Sequence, residues 1–141
     1  MAQSIHECTI LNNGVEMPWL GLGVFRASEG GEVEQAIQWA LDCGYRSIDT
    51  AAAYENEEGV AEGVRRSGVP REELFITTKV WNSDQGYDKT LNAFDASLQR
   101  LGMDYVDLYL IHWPVEGKFK DTWRPFEELH DAGKAKGIRV S

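Results

Sequence analysis

The chain has 141 residues, of which 43% are hydrophobic and 26% charged, a composition that suits one folded domain and excludes a disordered chain. Its 14 Lys and Arg against 23 Asp and Glu leave a formal charge of −9 with no basic cluster, which argues against nucleic acid and against an anionic membrane surface as partners. No apolar run approaches the roughly 20 residues that cross a bilayer, and the opening MAQSIHECTI lacks the basic and apolar segments of a secretory signal, so a cytoplasmic protein is expected.

The first predicted element is a β-hairpin, Ile5 to Leu11 and Val15 to Pro18 around Asn12-Asn13-Gly14. Five short β-branched or aromatic runs follow: Leu20 to Phe25, Ser47 to Ala51, Leu74 to Trp81, Val106 to Trp113 and Gly137 to Ser141. They are nearly all apolar rather than alternating, the pattern of strands covered on both faces in a parallel sheet. Between them, Val33, Ile37, Ala40 and Leu41 make one helical stripe, and Leu91, Phe94, Leu98 and Leu101 make a second. Gly44, Gly68, Gly102 and Gly133 each follow a helical segment, where a left-handed residue commonly closes the last turn, so four helices are bracketed. Cys8 and Cys43 lie far apart and outside any CxxC spacing, which suggests neither a disulfide nor a zinc site. Both read as small buried hydrophobes.

The strand ends fall at Asp49, Lys79, His112 and Ser141, with spacings of 30, 33 and 29 residues. Repeated β-loop-α units of that size build either a doubly wound sheet or a (β/α) barrel. Gly21-Leu22-Gly23 runs on into Val24-Phe25-Arg26 without completing GxGxxG, no P-loop occurs, and the leading hairpin could cap the bottom of a barrel, so the barrel is favoured. A (β/α)8 barrel takes roughly 250 residues. A hairpin, about five parallel strands and four helices over residues 1–141 therefore make the N-terminal half of one α/β barrel domain, cut after its fifth strand. Its unpaired first and last strands open another reading, a non-catalytic half-barrel that self-associates or awaits a complementary half.

In parallel barrels the reacting groups sit at the C-terminal ends of strands, and here three successive ends carry Asp49, Lys79 and His112, with Tyr54 five residues after Asp49. Taken singly, Asp49 could cap a turn, Tyr54 could be a half-buried aromatic and His112 a core histidine. Lys79, inside Phe75-Ile76-Thr77-Thr78-Lys79-Val80-Trp81, is costly to bury unless paired. Together, at equivalent positions of repeated units, the four would face one mouth. A free tyrosine titrates near 10, and an ammonium about 4 Å from its oxygen favours the phenolate by roughly 4 kcal/mol before desolvation. Tyr54 then becomes a proton donor, Asp49 holds Lys79, and His112 places an incoming oxygen. The chemistry is protonation of a carbonyl oxygen as a nucleophile reaches its carbon; because no side chain donates hydride, a reduction needs a nicotinamide or flavin. A lysine beside an acid and a tyrosine also suits a Schiff-base aldolase acting through Lys79.

These residues carry a resemblance to a known family. From Met17-Pro18-Trp19-Leu20-Gly21-Leu22-Gly23 through Gly44-Tyr45-Arg46-Ser47-Ile48-Asp49-Thr50-Ala51, Tyr54-Glu55-Asn56-Glu57, Thr77-Thr78-Lys79-Val80-Trp81 and Leu110-Ile111-His112-Trp113-Pro114, the chain resembles the first half of an aldo-keto reductase. The resemblance implies an enzyme that reduces small aldehydes and ketones with NADPH, Tyr54 as general acid, Asp49 and Lys79 tuning it and His112 orienting the carbonyl. It also implies that Phe25, Trp81, His112 and Trp113 line the substrate pocket, and that Gly23, Val24, Asp49 and Ser141 border the nicotinamide. No metal is implied, and the full-length form is expected to be a monomer.

Overall fold

The computed structural model describes residues 4–141; Met1 to Gln3, the start of the opening MAQSIHECTI, lie outside the described residues. The hairpin expected at the start is present, with β1 (Cys8–Ile10) antiparallel to β2 (Glu16–Pro18). Its turn is held by Asn13, whose side chain accepts from the Val15 amide at 3.3 Å and donates to the Lys136 carbonyl at 2.8 Å. That second bond ties the turn to the far end of the chain.

Strands and helices then alternate: β3 (Gly21–Gly23), α1 (Gly31–Asp42), β4 (Ser47–Asp49), α2 (Glu57–Ser67), β5 (Phe75–Val80), α3 (Tyr87–Leu101), β6 (Val106–Ile111), α4 (Phe119–Asp131) and β7 (Ala135–Val140). The five strands form one parallel sheet in sequential order, β3-β4-β5-β6-β7. This α/β arrangement of five strands and four helices is half of a (β/α)8 barrel. The second run, predicted to Ala51, is shorter as a strand and stops at Asp49, after which the chain turns towards the sheet's C-terminal edge.

Every residue of β5 and β6 is buried, as their continuous apolar runs require. One face packs under the helices, where Ile48, Ile76, Val80, Tyr109 and Ile111 meet Val33, Ile37, Phe94 and Phe126. Tyr109 stands between Phe94 and Phe126, with ring centroids 4.7 and 4.6 Å away. The other face would line the barrel interior, and at its lower end Phe75, Leu108 and Leu110 are covered by Val15 and Met17 of the hairpin. The predicted capping role of the hairpin is thus met by direct apolar contact. At the same end Asp107 accepts from Arg71 at 2.7 Å and from the Ile76 amide at 2.9 Å, fastening β6 to β5.

The helical stripes hold, with Val33, Ile37 and Leu41 buried in α1 and Phe94 and Leu101 in α3. Gly68 and Gly102 close α2 and α3 in the left-handed region, at φ 72° and 61°. The two cysteines correct the sequence reading, because both are exposed, free thiols. In β1 it is Thr9 that turns inward, leaving Cys8 on the solvent side. Cys43 caps α1 two residues past Leu41, where the stripe has rotated off the core.

Candidate active site

Asp49 ends β4 and Lys79 lies next to last in β5, and the register that sets Asp49 opposite Thr77 puts both side chains on the interior face of the sheet. There the Lys79 ammonium pairs with Asp49 Oδ1. It also donates to the Thr50 carbonyl at 2.8 Å and to the Tyr54 hydroxyl oxygen at 3.3 Å. Lys79 is only 5% exposed, so these partners replace the water it gives up. The Asp49 carboxylate, the Thr50 carbonyl and the Tyr54 hydroxyl thus take up all three N–H groups of the ammonium.

Tyr54 reaches this position through a single 3-10 turn over Ala52–Tyr54, closed by Glu55 in the left-handed region at φ 55°. His112 follows β6 directly, its amide donating to the Val80 carbonyl at 3.3 Å. Its ring meets Tyr54 edge-on at 5.7 Å and Trp81 at 5.1 Å, and stacks parallel to Trp113 at 6.2 Å. Burial, and secondarily the Lys79 charge, push the His112 pKa below its ordinary value, with Asp49 pulling weakly the other way. The neutral ring is therefore favoured. Its Nδ1 is buried without a partner among the described residues, so Nε2 is the nitrogen left for the cavity.

That cavity, of about 1050 Å³, is lined by Phe25, Tyr54, Trp81, His112 and Trp113 among others. Phe25 lies across from Tyr54 with ring centroids 5.2 Å apart. All four residues expected to line a substrate pocket are thus brought together there with Tyr54. Asp49 and Ser141 line a second cavity of about 720 Å³ on the interior face. Lys79 bridges the two groups, since Asp49 lies in one wall and Tyr54 in the other.

Of the residues expected near a nicotinamide, Gly23 pairs with Asp49 across the β3–β4 ladder, and Val24 donates its amide to the Asp49 carbonyl at 3.1 Å. A Cβ added at Gly23 would meet nothing within 4 Å, so open space borders this strand end. Ser141 extends β7, its amide bonded to the Ile111 carbonyl at 2.9 Å. Val24 itself is 2% exposed and packs in the core, so it supports this strand end from behind and lines neither cavity. Ser141 stands at the end of β7, three strands from Asp49 in the sheet, and shares the second cavity with it.

Two buried amides were not singled out from the sequence. Asn56 accepts from Thr50 Oγ1 at 2.8 Å and donates to the carbonyls of Val24 and Ala27. Gln85 donates to the Trp113 carbonyl at 2.6 Å and accepts from the Val115 amide at 3.3 Å. Both clamp loops that carry aromatic walls of the larger cavity. Residue type alone gives no signal for them, as amides are ordinarily exposed.

Among the described residues no group of His, Cys, Asp and Glu is arranged to hold a metal ion, and no helix is long and apolar enough to cross a membrane.

Comparison with known proteins shows a match to the model of the Aldo/keto reductase family over residues 20–141. The chain is 59% identical over 141 residues to glyoxal reductase of Bacillus subtilis (strain 168), covering 100% of this chain and 51% of that protein. It is 57% identical over 136 residues to 9,11-endoperoxide prostaglandin H2 reductase of Trypanosoma cruzi (strain CL Brener), covering 96% and 48%. Among solved structures, an aldo/keto reductase from Brucella melitensis superposes with a TM-score of 0.91 at 52% identity, over 94% of this chain and 52% of that one. A Bombyx mori aldo-keto reductase in complex with NADP gives 0.89 at 38% identity, over 97% and 51%. The chain spans about half the length of the curated relatives it matches.

Proposed function

The chain belongs to the aldo/keto reductase family, and from that premise we propose that the protein reduces small aldehydes and ketones to alcohols with NADPH, Tyr54 serving as general acid. Residues 1–141 are on this reading the N-terminal half of a single barrel, working in the cytoplasm as part of a monomeric enzyme. The reading rests on one arrangement above all, the buried Lys79 ammonium that joins the Asp49 carboxylate to the Tyr54 hydroxyl beside the aromatic cavity. The relatives named as reductases and the neighbour holding NADP support the same direction.

The carbonyl compound enters between Phe25, Trp81 and Trp113, whose apolar faces bury its body. Neutral His112 donates from Nε2 to the carbonyl oxygen and orients it towards Tyr54. NADPH, when bound, would supply the hydride that the carbonyl carbon accepts. The oxygen gains charge as its carbon is attacked, and the Tyr54 hydroxyl gives up its proton to it, completing the alcohol. Negative charge is left on the tyrosine oxygen, into which Lys79 already donates. Asp49 and the Thr50 carbonyl keep the ammonium from swinging away. Gly23, Asp49 and Ser141 would hold the nicotinamide end of the cofactor, with Val24 supporting the strand end from behind.

The test is Tyr54→Phe in the protein that carries this chain, assayed for NADPH-dependent reduction of glyoxal. A loss of about 10³-fold or more in turnover, with NADPH affinity by fluorescence titration unchanged, is expected. Retained turnover would overturn the role of Tyr54. Capture of a secondary amine at Lys79 by borohydride in the presence of a carbonyl substrate would assign the aldolase reaction instead.

A further inference from the structure

Asn56, which immediately precedes α2, is fully buried and spends every polar atom of its side chain. Its Oδ1 accepts from Thr50 Oγ1 at 2.8 Å, while Nδ2 donates to Val24 O at 3.0 Å and Ala27 O at 3.1 Å. Those two carbonyls bound one tight turn, closed as well by the Ala27 amide donating to Val24 O at 3.1 Å. Inside the turn Arg26 has φ 65°, and Glu55, the residue before Asn56, has φ 55°. Among the described residues these two are the non-glycine residues with positive φ, Arg26 inside the turn that Asn56 bonds and Glu55 next to Asn56 in the chain. Such backbone persists only where surrounding contacts over-determine it.

What the turn presents is Phe25. The residue is 64% exposed, so core packing does not hold it, yet it lines the larger cavity with its ring 5.2 Å from that of Tyr54. Arg26 lies over the same ring, 5.1 Å from its centroid. Asn56 itself is not among the residues lining the cavity. We propose that Asn56 is a positioning residue for substrate selection, clamping the strained Val24–Ala27 turn so that Phe25 stands as a wall for aromatic and other bulky carbonyl compounds. The proposal rests on the reading of this cavity as a carbonyl-reducing site. An amide is required because the position needs one acceptor and two donors; a carboxylate would set its oxygens against two carbonyls.

The experiment compares kcat/KM for 4-nitrobenzaldehyde and for glyoxal in the wild type, Asn56→Asp, Phe25→Ala and the double variant. Any common loss passed through Thr50 to Lys79 cancels in the ratio of the two substrates. Asn56→Asp is expected to lower the ratio about tenfold, and to leave it unchanged once Phe25 is already alanine. Asn56→Ser serves the same cycle where the aspartate variant does not fold. In either variant the Ala27 amide should exchange with solvent at least about tenfold faster while the β5 amides do not change. An unchanged ratio, an equal loss without Phe25, or unchanged exchange at Ala27 overturns the proposal. A wild type that reduces neither aldehyde overturns the functional reading, and selectivity with it, while Asn56's hold on the turn is still read from exchange.

Discussion

The Lys79 ammonium donates to the Tyr54 hydroxyl oxygen at 3.3 Å although the two residues lie 25 positions apart, on different β-loop-α units. Only the parallel register of β4 against β5 brings them together, with Asp49 opposite Thr77 and therefore within reach of Lys79. Replacing the ammonium separates its chemical role from its structural one. Lys79→Met should lower kcat/KM for glyoxal by about 10² to 10⁴. Stability should change by less than about 2 kcal/mol, because the Asp49 side chain, 44% exposed, can turn to water. Steady-state kinetics and urea denaturation on the same preparation check both expectations.

His112 ties stability to pH in a fixed direction. Burial, then the Lys79 charge, lower its folded-state pKa, while the unfolded chain titrates near 6.5. Between those two values the unfolded state binds the extra proton, so the contribution is fully present above about pH 6.5 and is lost as pH falls through the folded value. Denaturation midpoints measured from pH 7.5 down to 5 should fall more steeply for the wild type than for His112→Gln. Parallel curves would remove His112 from this role.

Behind the sheet, Glu57 is 1% exposed and receives hydrogen bonds from Arg100 at 2.8 Å, Thr78 at 2.9 Å and Ser97 at 3.2 Å. It thereby joins α2, β5 and α3 in the strand that also carries Lys79. Removing the cation should hurt more than neutralising the acid, because it strands a buried carboxylate. Arg100→Met is expected to cost about 3 kcal/mol and Glu57→Gln about 1 kcal/mol, measured by urea denaturation.

Gly59 sets how closely α1 and α2 approach. A Cβ there would lie 2.3 Å from Val33 Cγ1, and one at Gly63 would lie 3.0 Å from Ile37 Cβ. Helix propensity alone would favour alanine by about 1 kcal/mol. The overlap outweighs it, so Gly59→Ala should destabilise by about 1–3 kcal/mol. Gly31→Ala, at the first position of α1 with nothing within 4 Å, should be neutral or stabilising.

The order and kind of the elements are legible along the chain. Apolar runs of β5 and β6, helical stripes in α1 and α3, and glycines such as Gly68 and Gly102 are local signals, because strand burial, helix periodicity and left-handed caps depend on neighbours in the chain. Asp49, Tyr54, Lys79 and His112 could be nominated together since a repeated unit puts equivalent positions at equivalent strand ends. Their pairing, by contrast, was decided by tertiary structure: which oxygen meets Lys79, and that His112 stands between Tyr54 and the two tryptophans. The same holds for the polar residues that went unnoticed. Asn56 is buried by carbonyls 29 and 32 residues away, and Glu57 by an arginine 43 residues away. The cysteines erred in the opposite sense, because residue type favours burial but the facing of β1 and the end of α1 expose them. Burial of a single side chain depends on what the rest of the fold places against it, and that partner cannot be read from its immediate neighbours.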